Sequence, residues 1–257
     1  MKTTLITGAS SGIGYELSKL FAQDGYNLVL VARNEQRLQQ LAGELTAKFD
    51  VWVKVMAKDL AIACSPAEIF AELEAESIQL DILVNNAGFQ VYGPFLENDL
   101  AKELQMLQVN LLSLTQLTKL FLPGMIARGN GKILNVGSTG SFVPGPLNAV
   151  YCASKAYVLS LSEAMAEELA GTGVTVTALC PGATITEFHK RAQMEDVRLF
   201  KMGAMEAGPV AAAGYRALMA GRRIVVPGFQ NRLLVLATRF LPRKLVTRIG
   251  KVVMSRL

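Results

Sequence analysis

Residues 3–25 read TTLITGASSGIGYELSKLFAQDG. A strand-length run, Thr3–Thr7, breaks into a turn with glycines at 8, 12 and 14, and an amphipathic helical pattern follows. Glycine lets the backbone pass close to a ligand. The start of a helix offers free N–H groups and a positive dipole end to a phosphate. The spacing is GxxxGxG, not the commoner GxGxxG. A tight strand-to-helix turn would also use these glycines, but the strand before and the helix after favour a nucleotide.

Outward from this unit the pattern repeats. NLVLVA (27–32), VWVKVMA (51–57), DILVNN (81–86), GKILNVGS (131–138), VTVTALCPG (174–182) and RRIVVPG (222–228) are further apolar runs of strand length, with helical stretches between them. Strands hydrophobic along their whole length, and not at alternate positions, are covered on both faces, and right-handed βαβ crossovers supply that cover. The expected fold is therefore α/β: one Rossmann-like, doubly wound parallel sheet of about seven strands in three layers, with ligands beyond the carboxyl ends of the strands. The domain is expected over residues 1–228, with 229–257 as a basic extension.

Composition agrees with a globular chain: 257 residues, 51% hydrophobic and 18% charged. No stretch reads as a signal peptide, and no uncharged apolar run approaches the ~18 residues that span a bilayer. Cys64, Cys152 and Cys180 lie far apart, with no CxxC pair and no histidine cluster, so neither a disulfide framework nor a metal site is expected, and a reducing cytoplasm fits. The net charge is +5, yet 229–257 holds seven basic residues and no acid, which leaves nineteen basic against twenty-one acidic residues in the first 228. The basic balance belongs to the tail, so a nucleic-acid-binding body is not expected.

Two features sharpen the chemistry. A NAD site usually carries an acid about 20 residues beyond the glycines. Here Ala32 and Arg33 stand at that point, and the planar guanidinium suits a ribose 2′-phosphate. NADP is expected over NAD, the rival being Glu35, which reads instead as the first turn of the next helix. Further on, YCASKAYVLSLSEAMAEELA (151–170) places Lys155 one helical turn after Tyr151. A cation ~4 Å from a phenol in a half-wet site is worth roughly 4 kcal/mol, or about three pKa units. Such a pair is expected to bring a tyrosine towards neutrality, where general acid/base catalysis works best. YxxxK also occurs on ordinary surface helices, so the pair needs the rest of the chain beside it.

TGASSGIG (7–14), NNAG (85–88), Val109–Asn110, Ser138 in NVGSTGS, YCASK (151–155) and PGATIT (181–186) occur in this order, and the chain resembles a short-chain dehydrogenase/reductase of the compact, single-domain kind over residues 1 to about 228. The resemblance implies that Tyr151 is the proton donor and acceptor. Lys155 would lower its pKa and bind the nicotinamide ribose, Ser138 would orient the substrate oxygen, and Asn110 would hold a water of the proton relay. It implies cofactor contacts at Gly8, Ser10, Ser11, Gly12, Ile13 and Gly14 in the phosphate loop, at Arg33, and at Asp59 and Leu60 beside the adenine. Asn86, Ala87 and Gly88 would lie by the adenosine ribose, and Pro181, Gly182, Thr184 and Thr186 by the nicotinamide. It also implies a homodimer or homotetramer and no metal. Two other readings are a sugar-nucleotide epimerase or dehydratase, which needs a larger second domain, and a redox-sensing NADPH-binding protein, which a broken tetrad would suggest.

The substrate is expected to be a hydrophobic ketone, aldehyde or 3-oxoacyl group, or the matching secondary alcohol, because Phe188, Met194, Leu199, Phe200, Met202 and Met205 stud the stretch after Thr186, which the resemblance implies is a lid over the substrate. His189, the only histidine, reads as a surface residue near the pocket. In the tail, Leu245, Val246, Ile249, Val252, Val253 and Leu257 share one helical arc, opposite Arg243, Lys244, Arg248 and Lys251. Such a helix can pack on the domain, close the cleft or join a dimer. It can also lie on an anionic membrane surface as a peripheral contact.

Overall fold

A computed structural model of the chain describes residues 2–187, 194, 196–201 and 203–256. Phe188, His189, Met202 and Leu257 lie outside the described residues, so the readings made on them have no structural counterpart. Seven strands form one sheet in the order β3-β2-β1-β4-β5-β6-β9: β1 Thr3–Thr7, β2 Asn27–Ala32, β3 Val53–Ala57, β4 Ile82–Asn85, β5 Gly131–Val136, β6 Val174–Leu179 and β9 Ile224–Val225. All pair in parallel. The seven apolar runs supply these seven strands. A two-residue ladder not legible as a strand pair, β7 Thr184–Ile185 with β8 Met205–Glu206, ties the two ends of the lid stretch together.

The reason for continuous apolar strands is visible in β1. Leu5 packs on one face with Ile69 and Leu73 of helix α3 (Ser65–Ala75) and Leu117 and Phe121 of α5 (Leu114–Ala127). Its neighbour Ile6 packs on the other face with Leu17 and Phe21 of α1 (Gly12–Gln23) and Leu38 and Leu41 of α2 (Glu35–Lys48). Both side chains are fully buried, and alternate residues of a strand point to opposite faces. Helix α6 (Ala149–Glu168) joins the first layer through Met165, and α8 (Ala207–Met219) the second through Val210 and Leu218.

The order reverses at β1, which is flanked by β2 on one side and β4 on the other. Successive crossovers leave that point in opposite directions, so a crevice opens beyond the carboxyl ends of β1 and β4. Helix α4 (Leu100–Leu107) passes into α5 through a π-helical segment, Gln108–Ser113, that carries Asn110. A short α7 (Arg198–Lys201) lies in the lid stretch. The chain closes with α9 (Phe229–Ala237) and α10 (Arg243–Met254). Helix α9 stops at Ala237, ahead of Pro242, which lacks an N–H and sits instead as the N-cap of α10.

Candidate active site

A cavity of about 1570 Å³ runs along the carboxyl edge of the sheet. It is lined by Gly8, Ser10, Ser11, Gly12, Ile13, Arg33, Asp59 and Leu60 at one end, and by Ser138, Tyr151 and Lys155 together with Pro181, Gly182, Thr184 and Thr186 at the other, with Asn86, Ala87 and Gly88 also on its wall. Residues from seven separated segments thus meet at one surface.

At the phosphate-loop end, Gly8 and Gly12 hold φ of +67° and +58°, the left-handed region where side chains are strained. A Cβ on Gly8 would lie 2.9 Å from the Ala87 backbone, and one on Gly12 would lie 2.9 Å from Thr186 Cγ2. The Ser11 side chain makes no cap bond at the start of α1, and no acid stands in its first turn. The leading amides are therefore left to an anion. Thr7 and Asn86 brace the loop from below. The Asn86 amide nitrogen donates to the carbonyls of Thr7 (2.8 Å) and Gly8 (3.2 Å), while the Thr7 hydroxyl accepts from the Asn86 and Ala87 backbone. Gly14 does not reach the cavity. It lies where a Cβ would stand in hard contact with the Gly8 carbonyl and 2.5 Å from Asn86 Nδ2, so it lets α1 close on the loop. These features, a bare helix start behind a backbone cradle, fit a pyrophosphate.

Arg33 is exposed at the end of β2 and shares the cavity rim with Lys58. Glu35 opens α2 behind the Asn34 cap, whose side chain accepts from Arg37 N at 2.9 Å. Arg37, a residue not singled out by the sequence, grips both oxygens of Glu187 at 2.7 and 2.8 Å. Asp59 accepts from Ala61 N, and the Leu60 carbonyl accepts from the buried Ser113 hydroxyl, which fixes this turn against the π-helical segment.

At the other end, Tyr151 stands in the first turn of α6 and hydrogen-bonds Ser138. Ser138 caps a short 3-10 turn, Thr139–Phe142, with its oxygen accepting from Gly140 N at 3.0 Å. Lys155, only 4% exposed, donates from Nζ to the Val136 carbonyl at 2.8 Å, and its nitrogen is 5.8 Å from the centre of the Tyr151 ring. Asn110 does not line the cavity. Its amide bonds the Phe89 backbone in both directions (3.2 and 3.0 Å) and donates to Ser154 at 3.2 Å, and Ser154 in turn donates to the Tyr151 carbonyl. It thus joins the loop after β4 to the tyrosine helix.

One expectation is overturned. Tyr151 is not brought towards neutrality; burial pushes its phenol well above the usual tyrosine range, and only the Ser138 hydrogen bond pulls the other way. Helical spacing does set Lys155 beside Tyr151, but the fold turns the ammonium onto Val136, and burial lowers the lysine itself to about 8. Desolvation penalises the charged form of each group and is the largest cause of both shifts. Burial also raises Cys152 to about 11 and Cys180 to about 12, so both thiols near this site stay neutral.

Of the lid residues, Met194, Leu199 and Phe200 line the cavity, while Met205 lies in β8 and does not. The remaining wall comes from the tail, through residues such as Leu233 and Leu234 of α9 and Val246 and Val253 of α10. The tail is pinned there by Tyr92, which donates to the Met254 carbonyl at 2.6 Å, and by Arg256, which pairs with Asp196 at 3.3 Å.

Among proteins of known identity, a very-long-chain 3-oxoacyl-CoA reductase of Anas platyrhynchos is 34% identical over 192 residues, 72% of this chain and 61% of that protein, so less than two thirds of the relative is matched. A short-chain dehydrogenase from Sphingobium yanoikuyae, solved in complex with NADPH, superposes with a TM-score of 0.84 at 32% identity, covering 93% of this chain and 94% of that one. A bulky-bulky ketone specific alcohol dehydrogenase from Comamonas testosteroni gives 0.79 at 29% identity, covering 93% and 92%. The family model described as short chain dehydrogenase matches residues 2–196. With the sheet order, the glycine cradle and the serine–tyrosine–lysine cluster in one crevice, the chain belongs to the short-chain dehydrogenase family of oxidoreductases.

Proposed function

We propose that this protein is an NADP(H)-dependent oxidoreductase that reduces a carbonyl group, or oxidises the corresponding secondary alcohol, on a hydrophobic substrate, with Tyr151 as general acid/base. The observation that carries the reading is the placement of Ser138, Tyr151 and Lys155 on the same cavity as the bare start of α1. Bound NADPH would supply the hydride. The amides of the glycine turn and of α1 would hold its pyrophosphate, Arg33 would bind the 2′-phosphate, and Pro181 to Thr186 would hold the nicotinamide end. Asp59 and Leu60 would hold the adenine, and Asn86 to Gly88 the ribose beside it.

Tyr151 gives its proton to the substrate oxygen, and Ser138 steadies that oxygen. A phenol raised by burial is wholly protonated at neutral pH, the form that reduction consumes. Lys155, buried and able to lose a proton near pH 8, would restore it, and Asn110 ties the loop after β4 to the tyrosine helix, where a relay water would be held. The apolar wall from Met194, Phe200, Leu234 and Val246 supports a hydrophobic substrate, as do the names of the reductase and ketone dehydrogenase to which the chain is similar. Exposed Leu104, Leu112 and Tyr157, on and around α4 to α6, support assembly into a dimer or tetramer. Free thiols at all three cysteines support a cytoplasmic setting. The test is NADPH oxidation against a panel that sets 3-oxoacyl thioesters beside bulky ketones and small polar carbonyls. Turnover restricted to the small polar members would refute the substrate class, and no turnover with any carbonyl or alcohol would refute the activity.

A further inference from the structure

The tail has a second face that the cavity does not use. In α9, Phe229, Leu236 and, just past its end, Phe240 recur at intervals of seven and four, one stripe of a helix, with Leu233 at its border with the cavity wall. Phe229 and Phe240 are 78% and 80% exposed, and Leu236 is 50% exposed. Leu234 and Ala237, which line the cavity, lie round the helix from that stripe. Helix α10 repeats the division. Val246, Gly250 and Val253 turn to the cavity, Leu245 and Val252 are exposed beside them, and Lys244, Arg248 and Lys251 follow on the next strip of surface. Among the described residues none of Arg239, Arg243, Lys244, Arg248 and Lys251 pairs with a carboxylate, whereas on the body Lys19, Arg37, Lys54, Lys58 and Arg223 do.

We propose that α9 and α10 form a two-faced cover whose inner face walls the cavity and whose outer face seats the protein on an anionic phospholipid surface. Exposed aromatic and aliphatic side chains enter the headgroup boundary, and the unpaired cations beside them meet lipid phosphates. Charge decides between this occupant and a second copy of the chain. A two-fold contact through the patch would set it against itself, cation against cation, since 229–257 contains no acid. Among the described residues no helix is long and apolar enough to cross a membrane.

The test is sedimentation of the full-length protein with vesicles of phosphatidylglycerol mixed into phosphatidylcholine, against phosphatidylcholine alone. Binding is expected only to the mixed vesicles, and is expected to fall as salt screens the cations. Each cation near an anionic surface contributes about fivefold, so K244E/R248E/K251E is expected to weaken binding by at least roughly a hundredfold, the loss of the three cations alone. F229S/F240S should weaken it too. NADPH binding, measured in parallel, is expected to be unchanged in both variants, because none of the five residues lines the cavity. That control separates a lost surface from a lost fold and needs no substrate, so the result stands apart from the outcome of the carbonyl screen. No sedimentation of the unmodified protein at low salt would overturn the proposal, as would binding indifferent to charge reversal. So would an oligomer that F229S/F240S splits without any vesicle binding, which would assign the stripe to a second copy.

Discussion

The Lys155 ammonium donates to the Val136 carbonyl at the end of β5, at 2.8 Å, and the residue is only 4% exposed. A buried cation with a neutral partner is a cost to the fold, and its ammonium is lowered from 10.5 to about 8. Between those values the unfolded chain holds a proton that the folded chain has released. Stability therefore rises with pH across that window, the penalty being fully present below about pH 8.

The first prediction follows from that sign. Lys155→Met is expected to be more stable than the unmodified protein at pH 7, by about 1–2 kcal/mol after allowing for the orphaned Val136 carbonyl. The difference should shrink as pH rises from about 8 to about 10.5, while oxidoreductase activity is lost. Denaturant midpoints of both proteins across that range check it, and a gap that widens with pH would refute the assignment of the buried proton.

Tyr151→Phe removes the transferable proton and keeps the ring. Turnover is expected to fall by roughly 10²- to 10⁴-fold with NADPH affinity almost unchanged. If more than about a tenth of the activity survives, the proton comes from elsewhere.

Arg33→Ala is expected to weaken NADPH binding by ~10- to 150-fold, the worth of a charged hydrogen bond, and to leave NADH nearly untouched. Equal losses for both cofactors would make Arg33 a structural residue. Tight NADH binding by the unmodified protein would transfer the ribose contact to Glu35.

Gly14 and Gly12 separate packing from cradle. Gly14→Ala drives a methyl group into the Gly8 carbonyl and Asn86, so stability is expected to drop by about 2 kcal/mol or more, with NADPH binding weakened alongside. Gly12→Ala meets only Thr186 and carries the cost of a left-handed φ, about 1 kcal/mol, so the cofactor is expected to suffer more than the fold. Thermal unfolding of the two variants, with and without NADPH, tests the ranking.

What the sequence by itself determined were the features written in local patterns. Continuous apolar runs such as NLVLVA mark strands covered on both faces, because a residue on either side of the pleat meets a helix. TGASSGIG marks the phosphate turn, since a left-handed backbone at positions 8 and 12 must be paid in glycine. Tyr151 and Lys155 could be placed on one helix face from their spacing. Their electrostatics could not, because the partner that turns the ammonium away, Val136, lies on another element, and the depth of burial that raises the phenol is the work of the whole layer. The same limit hid the Arg37–Glu187 pair, whose members lie 150 residues apart, and Asn110, whose side chain acts through Phe89 and Ser154. In the tail, periodicity located an apolar arc and a cationic one. Only the packed structure decided that the arc has two parts, one closed over the cavity and one left open, because burial depends on what stands opposite a helix and not on the helix itself.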